Sequence, residues 1–200
     1  MNLIIELVPT FLFVAVYALS GAAIFKATLA GMVSSTVGTM VYYIIFKRIT
    51  ALQMVLLMML LILGGLTIYF ETPKFIKLLP TVIYFSGAAA VVLSMYNKKP
   101  ILRIMFGKQF LKNEKKIKQI NLWDDMSYHF GGFLFFLAML NLVVMKWGST
   151  TVWVYSKLAI FFLFLCFIVW ELRWAYKKIS PKSSFTHWLK ISWLRHLLKR

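Results

Sequence analysis

Six long runs of apolar residues constrain this chain more than any other feature of its sequence. Each run is close to the roughly 17–25 residues that an α-helix needs to cross about 30 Å of hydrocarbon. Because the runs are continuous, they exclude the alternating strands of about ten residues from which membrane β-barrels are built. The sequence therefore predicts an all-α, polytopic helical membrane protein with spans at residues 3–19, 21–46, 51–69, 78–96, 127–145 and 151–170.

The first run leaves the number of spans open, because it carries Glu6 and has Pro9 in its first turns. If this segment lies flat or re-enters the membrane, five spans remain and the N-terminus moves to the other side. A cleaved signal peptide is a further alternative, since Ala18-Leu19-Ser20 resembles a cleavage site. A signal peptide, however, typically begins with a positive segment, and the charged side chain here is acidic.

The basic residues predict the orientation, because connections rich in Lys and Arg stay on the cytoplasmic side. Of the 23 basic residues, two close span two, eight lie between spans four and five, and eight follow span six. The connections on the opposite side contain only Lys74, Lys77 and Lys146. We therefore expect a cytoplasmic C-terminus and, with six spans, a cytoplasmic N-terminus.

The same charges divide the chain into a transmembrane bundle at residues 1–176 and a basic cytoplasmic tail at residues 177–200. The net charge of +17 is concentrated at the predicted membrane boundaries. That distribution indicates anionic lipid headgroups as partners and gives no reason to expect nucleic acid.

The basic connection at residues 97–123 predicts an amphipathic helix on the cytoplasmic surface of the membrane, with aromatic and aliphatic residues on one face and lysines on the other. Such a helix can bind anionic lipid or dock a protein partner, and the sequence leaves both open. The candidate contact residues are Lys98, Lys99, Arg103, Phe106, Lys108, Phe110, Lys112, Lys115 and Lys116.

Small residues recur every fourth position in two spans, and such rows let membrane helices approach closely. They predict helix packing within the chain, or alternatively the seam of a homo-oligomer. The row of span two is Ala23, Ala27, Gly31 and Ser35, and that of span four is Ser86, Ala90 and Ser94.

The best place to look for chemistry is the start of span five, where Asp125 and His129 share a helical face at a spacing of four. Two acids in a first turn also favour the positive end of the helix dipole, which is a structural role. Zinc needs three or four protein ligands. The other histidines lie in the tail, and the single cysteine, Cys166, lies within span six. We therefore predict no catalytic site, no metal and no cofactor.

Several stretches resemble the intracellular septation protein A family, the bacterial inner membrane-spanning proteins of the YciB type. The stretches that match, in order and spacing, are Glu6-Leu7-Val8-Pro9, Gly64-Gly65-Leu66-Thr67, Pro80-Thr81-Val82-Ile83-Tyr84, Lys98-Lys99-Pro100-Ile101, Gly107-Lys108, Asn141, and Trp153 with Lys157.

This resemblance implies a role in septum formation and cell-envelope maintenance at the inner membrane of Gram-negative bacteria. It also implies interaction with division and peptidoglycan-elongation proteins, and it assigns no catalytic residues. A small-molecule or lipid transporter is the alternative, and a polar cavity at Asn141 would favour it. An intramembrane enzyme is a further alternative, and a pocket joining Asp125 and His129 to other polar groups would favour that.

The predicted orientation can be tested with reporter fusions. Fusions after Arg200 and within residues 112–118 should read cytoplasmic, and a fusion near Lys74 should read periplasmic, because the basic residues are so unevenly divided. A periplasmic reading at the C-terminus would contradict the orientation.

Overall fold

The fold is known from a computed structural model, which describes residues 3–97, 100–103 and 121–179. Throughout these ranges the regular structure is helical and no strand occurs, so the predicted all-α fold class is confirmed. The main helices are α1 at Leu3–Leu19, α2 at Ile24–Phe46, α3 at Ala51–Tyr69, α4 at Lys74–Tyr96, α5 at Leu122–Trp147 and α6 at Thr150–Ile179. The amphipathic helix predicted in the basic connection lies largely outside the described residues, as does the tail after Ile179.

Four of the described helices are long and apolar enough to cross a membrane, namely α2, α4, α5 and α6 as far as Lys178. Two shorter apolar segments, Val8–Leu19 and Gln53–Tyr69, belong to α1 and α3. Large apolar side chains face outward on these helices, for example Val33, Met58 and Phe162. An apolar outer surface of this kind is suited to lipid, and the chain is a polytopic helical membrane protein.

The helix ends differ from the predicted spans, because hydropathy reports the apolar stretch and not the hydrogen-bonded helix. Gly21 and Ala22 have left-handed backbone angles, with φ of 68° and 67°, so α2 begins at Ile24 and not at residue 21. Polar turns lengthen α4, α5 and α6 beyond the predicted spans 78–96, 127–145 and 151–170. Helix α6 also continues through the predicted domain boundary after residue 176.

The described chain forms two compact units, and the first consists of Met1–Ser86 and Phe135–Ile160. In this unit 1, helix α2 packs against α1 and α3. Its apolar core is formed by Val14, Tyr17, Ile24, Ala27, Ile76, Trp153 and Val154.

The second compact unit consists of Gly87–Leu134 and Phe161–Arg200. The core of this unit 2 is formed by Leu102, Leu122, Trp123, Met126 and Ala175. The rings of Phe133 on α5 and Phe167 on α6 stack with their centroids 4.0 Å apart. Because these aromatic side chains are large, they contribute much of the buried area that joins the two helices.

The small-residue row of α2 lies largely inside unit 1. Ala27 and Gly31 are buried, and a Cβ on Gly31 would lie 3.5 Å from the Phe13 ring of α1. Ala23 and Ser35, at the ends of the row, are half-buried.

The row of α4 lies differently. Ser86 and Ala90 are exposed, whereas Ala88 and Val91 are buried, so the buried face of this stretch lies beside the predicted one. Half-buried Ser94 has a local role, since its hydroxyl accepts a hydrogen bond from the Ile101 N–H at 3.1 Å. A contact of Ser86 and Ala90 with a second copy stays a prediction.

The Gly64-Gly65 pair shows how closely α3 approaches α2. A Cβ on Gly64 would lie 2.7 Å from the Met32 sulfur and 3.3 Å from the Thr28 methyl carbon, both on α2. A Cβ on Gly65 would have no heavy atom within 4 Å. A side chain at Gly64 would therefore have to displace the Met32 side chain on α2, whereas a Cβ at Gly65 would meet no neighbouring atom.

This difference predicts opposite tolerance at adjacent positions. Gly64→Val should destabilise the protein by about 1–3 kcal/mol, because the side chain overpacks the contact with α2. Gly65→Val carries the same cost in helix propensity and is therefore the matched control. Thermal unfolding in detergent should show a lower midpoint for Gly64→Val alone. Equal shifts for the two variants would contradict the close approach of α3 and α2.

Candidate functional site

A fully buried amide, Asn141 on α5, connects three helices of unit 1. Its Nδ2 donates to the Lys77 carbonyl oxygen at 2.9 Å and to the Thr81 hydroxyl at 2.8 Å, both on α4. Its Oδ1 accepts from Trp153 Nε1 at 3.1 Å and from Lys157 Nζ at 2.6 Å, both on α6. A side-chain amide has two N–H donors and an oxygen that accepts two bonds, so its bonding capacity is filled by protein.

Helix α4 contains Pro80 close to the carbonyl that accepts a hydrogen bond from Asn141. Proline has no N–H, so the bond that would join residue 80 to the Ile76 carbonyl is absent. The next carbonyl along the helix, that of Lys77, accepts from Asn141.

Helix α6 contributes Trp153 and Lys157, which share a helical face at a spacing of four. The Lys157 ammonium lies 4.1 Å from the centre of the Trp153 ring, a cation–π contact, and donates to Asn141. Among the residues that the structure describes, no carboxylate lies within ion-pair distance of Lys157. A neutral amide oxygen and an aromatic face therefore hold this positive charge.

A second hydrogen-bonded residue, Thr67, joins the end of α3 to the start of α4. Its side-chain oxygen accepts from the Ile76 N–H at 2.8 Å and donates to the Leu63 carbonyl at 2.8 Å. The accepted bond satisfies one of the backbone N–H groups left free in the first turn of a helix. Thr67 is fully buried, so this bond is sheltered within unit 1.

Four of the residues by which the family resemblance was recognised thus meet in one place, namely Thr81, Asn141, Trp153 and Lys157. Unit 1 brings together stretches that are far apart in the sequence, and their polar side chains bond to one another or to the adjoining backbone. We refer to Lys77, Thr81, Asn141, Trp153 and Lys157 as the Asn141 network. In the sequence these residues are visible only as separate positions. The feature that indicates buried hydrogen-bond partners is Asn141, a single amide within an apolar run.

The Asp125–His129 segment forms part of a different arrangement, in unit 2. His129 Nδ1 lies 3.1 and 3.3 Å from the two carboxylate oxygens of Glu171 on α6. Asp125 forms an ion pair with Lys178 on the same helix. The Trp174 ring lies between these pairs, 4.7 Å from the His129 ring centre and 4.8 Å from the Lys178 ammonium.

These pairs show where the predicted chemistry lies in the structure. Asp124 and Asp125 are in the first turn of α5, and the side chains of Asp125 and His129 each meet α6. In the described ranges, no three side chains among His, Cys, Asp and Glu are grouped so as to hold a metal ion. The partners Glu171 and Lys178 were missed. They lie seven residues apart on α6, whereas Asp125 and His129 lie four residues apart on α5, so spacing alone does not pair them.

The predicted lipid or partner contacts lie mostly outside the described residues. Arg103 is described, and it is exposed at the start of the basic connection. Lys98, Lys99, Phe106, Lys108, Phe110, Lys112, Lys115 and Lys116 are outside the described ranges, so their role stays a prediction.

The Asn141 network predicts strong coupling between its members. Asn141→Leu keeps the branched shape and the number of heavy atoms of the side chain but leaves the Lys157 ammonium and the Trp153 N–H without their acceptor, at a cost of about 2–4 kcal/mol in the free energy of unfolding. Lys157→Met should then lower the free energy of unfolding less in the Asn141→Leu background than in the wild type. In that background the Lys157 charge has already lost its acceptor, so its removal is less harmful. Unfolding free energies of the four proteins of this double-mutant cycle measure the coupling. Additive losses would contradict the network.

Comparison with protein families gives a match to intracellular septation protein A over residues 1–182. A relative from Polynucleobacter asymbioticus, named inner membrane-spanning protein YciB, is 33% identical over 160 residues, which is 79% of this chain and 85% of the relative. A protein of the same name from Laribacter hongkongensis is 34% identical over the same shares of the two chains. Another from Cronobacter sakazakii is 28% identical, covering 78% of this chain and 84% of the relative. No solved structure matches the chain.

Proposed function

Because the chain belongs to the intracellular septation protein A family, we propose that it acts in cell division and cell-envelope maintenance at a bacterial inner membrane. Its relatives are named inner membrane-spanning proteins, and the apolar helices of this chain agree with that location. In this proposal the protein works by contact with the division and peptidoglycan-synthesis machinery and catalyses no reaction.

The observation that supports this proposal is the closed bonding of the Asn141 network. Residues that carry the family resemblance are turned toward one another, and Asn141 is 0% exposed with its donors and acceptor occupied by protein. A network of this kind fixes the arrangement of α4, α5 and α6 within unit 1. Side chains used in this way maintain a scaffold on which other segments of the chain can be presented.

The transport alternative needs a different arrangement at the same residue. Substrate sites of transporters lie near the bilayer midplane, where interrupted helices present polar groups to the substrate. Helix α4 does contain Pro80, but the carbonyl of Lys77 next to the interruption is bonded to Asn141. The geometry at Asn141 thus favours a scaffold over a transport site.

The His129–Glu171 and Asp125–Lys178 pairs are better explained as structural than as catalytic. The Asp125 carboxylate meets the Lys178 ammonium, and the Glu171 carboxylate, only 6% exposed, meets Nδ1 of His129 on the facing helix. Removing the partner of a buried carboxylate such as Glu171 is costly, so a contact of this kind helps specify how two helices meet. In unit 2 these pairs add polar contacts to the apolar packing between α5 and α6.

The segment that we propose to contact other molecules is the basic connection at residues 97–123. Its lysines and aromatic residues suit both anionic headgroups and a protein partner, and the two kinds of contact are compatible. In our proposal, lipid contact holds the connection at the cytoplasmic surface and the division and cell-wall proteins bind it there.

Site-specific photo-crosslinking in living cells tests this proposal. A photo-crosslinking residue is placed at Lys108 or Lys112, within the basic connection, or at Val41, an exposed apolar position on α2 that serves as the control. Division or peptidoglycan-synthesis proteins should be captured from Lys108 and Lys112 and not from Val41. Capture of lipid alone, or identical proteins from all three positions, would contradict the proposed interaction.

A functional readout accompanies the capture. Exchange of Lys108, Lys112, Lys115 and Lys116 for Gln should prevent the protein from restoring normal septation in cells that lack it. Membrane insertion and protein yield should remain at the wild-type level, because these positions lie in a connection and outside the spans. Full restoration of septation by the Gln variant would show that the connection is not the contact surface.

A further inference from the structure

Two lysines of unit 1 are joined through Asn141, and neither has an acidic partner among the described residues. Asn141 joins them, since its Nδ2 donates to the main-chain oxygen of Lys77 and its Oδ1 accepts from the ammonium of Lys157. Lys77 is only 8% exposed. Positive charge inside a membrane is by default a sign of function, and its partner should be identified.

The described part of unit 1 supplies no counter-charge for either lysine. Glu71 is its only acidic residue whose side chain is described, and no ion pair joins Glu71 to Lys77 or Lys157. The Lys157 ammonium has three N–H donors, one of which is used by Asn141 while the Trp153 ring covers a face. The Lys77 ammonium has no hydrogen-bond partner among the described residues. Donors and charge therefore remain for a ligand.

The Lys77 ammonium is also accessible to a ligand, although most of its side chain is buried. In the described region every fully enclosed side-chain nitrogen or oxygen has a hydrogen-bond partner. An ammonium that lacks such a partner must therefore reach the surface of unit 1. Most of the side chain is buried and its charged end is not fully enclosed, as is common for lysine near a membrane boundary.

The positions of Lys77 on α4 and of Lys157 on α6 indicate which layer of the membrane their charges face. Lys77 lies in the first turn of α4 and Lys157 in the second turn of α6, and Asn141 places these helix starts at the same end of unit 1. The Cα–Cβ bonds of a helix are tilted toward its N-terminus, so the side chains of Lys77 and Lys157 start toward this end. The Lys157 ammonium lies over the Trp153 ring, one turn earlier on α6. Exposed Trp147, the last residue of α5, lies at the same end, as aromatic residues do at a membrane–water interface.

We propose that Lys77 and Lys157 bind the phosphate group of a membrane lipid at the boundary where α4 and α6 begin. Lipid phosphates are the anions that are abundant at this depth, and lysine binds phosphate as a compact point charge. The lipid tail then lies against the apolar outer surface of the same helices. This site is separate from the proposed contact through the basic connection and does not depend on it.

The carboxylate of a partner's membrane helix is the other anion that such a pair of lysines could meet. A carboxylate would need a helix placed against this end of unit 1, whereas lipid is present around the whole bundle. The lipid phosphate is therefore the occupant that the position favours, and the experiment separates the two.

The test measures lipid binding to the purified full-length protein in detergent by native mass spectrometry. The probes are phosphatidylglycerol, a diacylglycerol with the same acyl chains but no phosphate, and inorganic phosphate. The wild type should retain phosphatidylglycerol and bind the other two much more weakly. Lys77→Met should weaken phosphatidylglycerol binding roughly fivefold, as expected for the loss of one lysine near an anionic surface, and Lys77→Arg should restore it.

Lys74→Met is the matched control, because Lys74 is an exposed lysine one turn earlier on the same helix. It removes the same charge and should change affinity by about twofold or less, since exposed charges are screened. Lys77→Met keeps the main-chain bond to Asn141, so its melting temperature should stay close to that of the wild type.

Three results would overturn the proposal. Equal losses of phosphatidylglycerol affinity in Lys74→Met and Lys77→Met would show that the lipid is attracted by the net charge of the protein alone. Inorganic phosphate that binds as tightly as the lipid would identify a soluble anion as the ligand. Unchanged lipid binding in Lys77→Met, together with loss of a complex with another membrane protein, would identify a partner's carboxylate.

Discussion

The interior of a bilayer offers no hydrogen bonds, so a polar side chain placed there must find its partners within protein. Asn141 meets this requirement completely, with four hydrogen bonds to groups on α4 and α6. These four hydrogen bonds connect α5 to both α4 and α6. Pro80 interrupts the bonding of α4 beside the carbonyl that receives the amide, and Lys157 has the amide oxygen as its hydrogen-bond acceptor.

Polar contacts matter for specificity because apolar faces distinguish poorly between neighbours in lipid. Helices in a membrane gain little from burying Leu against Leu, so close packing and hydrogen bonds decide which faces meet. Unit 1 uses both, with Gly64 against α2 and Asn141 between α4 and α6. Unit 2 uses ion pairs between α5 and α6, with the Trp174 ring lying between the pairs.

The sequence predicted the parts of this structure that depend on local pattern. Continuous apolar runs predicted the helices, and a spacing of four placed Asp125 and His129 on a common face of α5. The sequence did not predict that Asn141 would contact Thr81 and Lys157. Contacts between residues that are far apart in the chain leave no periodic signal in a single sequence. The buried face of α4 was also misplaced, since a row of small residues can face lipid when bulkier neighbours such as Val91 fill the contact.

The central claim is that the Asn141 amide lies in a closed, protein-bonded site in the interior of unit 1. Exchange of the indole N–H protons with deuterium, followed by NMR in lipid nanodiscs, tests it directly, because two tryptophans provide an internal comparison. The Nε1 proton of Trp153, which is bonded to Asn141, should persist long after that of Trp147, whose side chain is exposed. In Asn141→Leu the protection of Trp153 should fall toward that of Trp147. Equal, rapid exchange of both protons in the wild type would contradict the closed network.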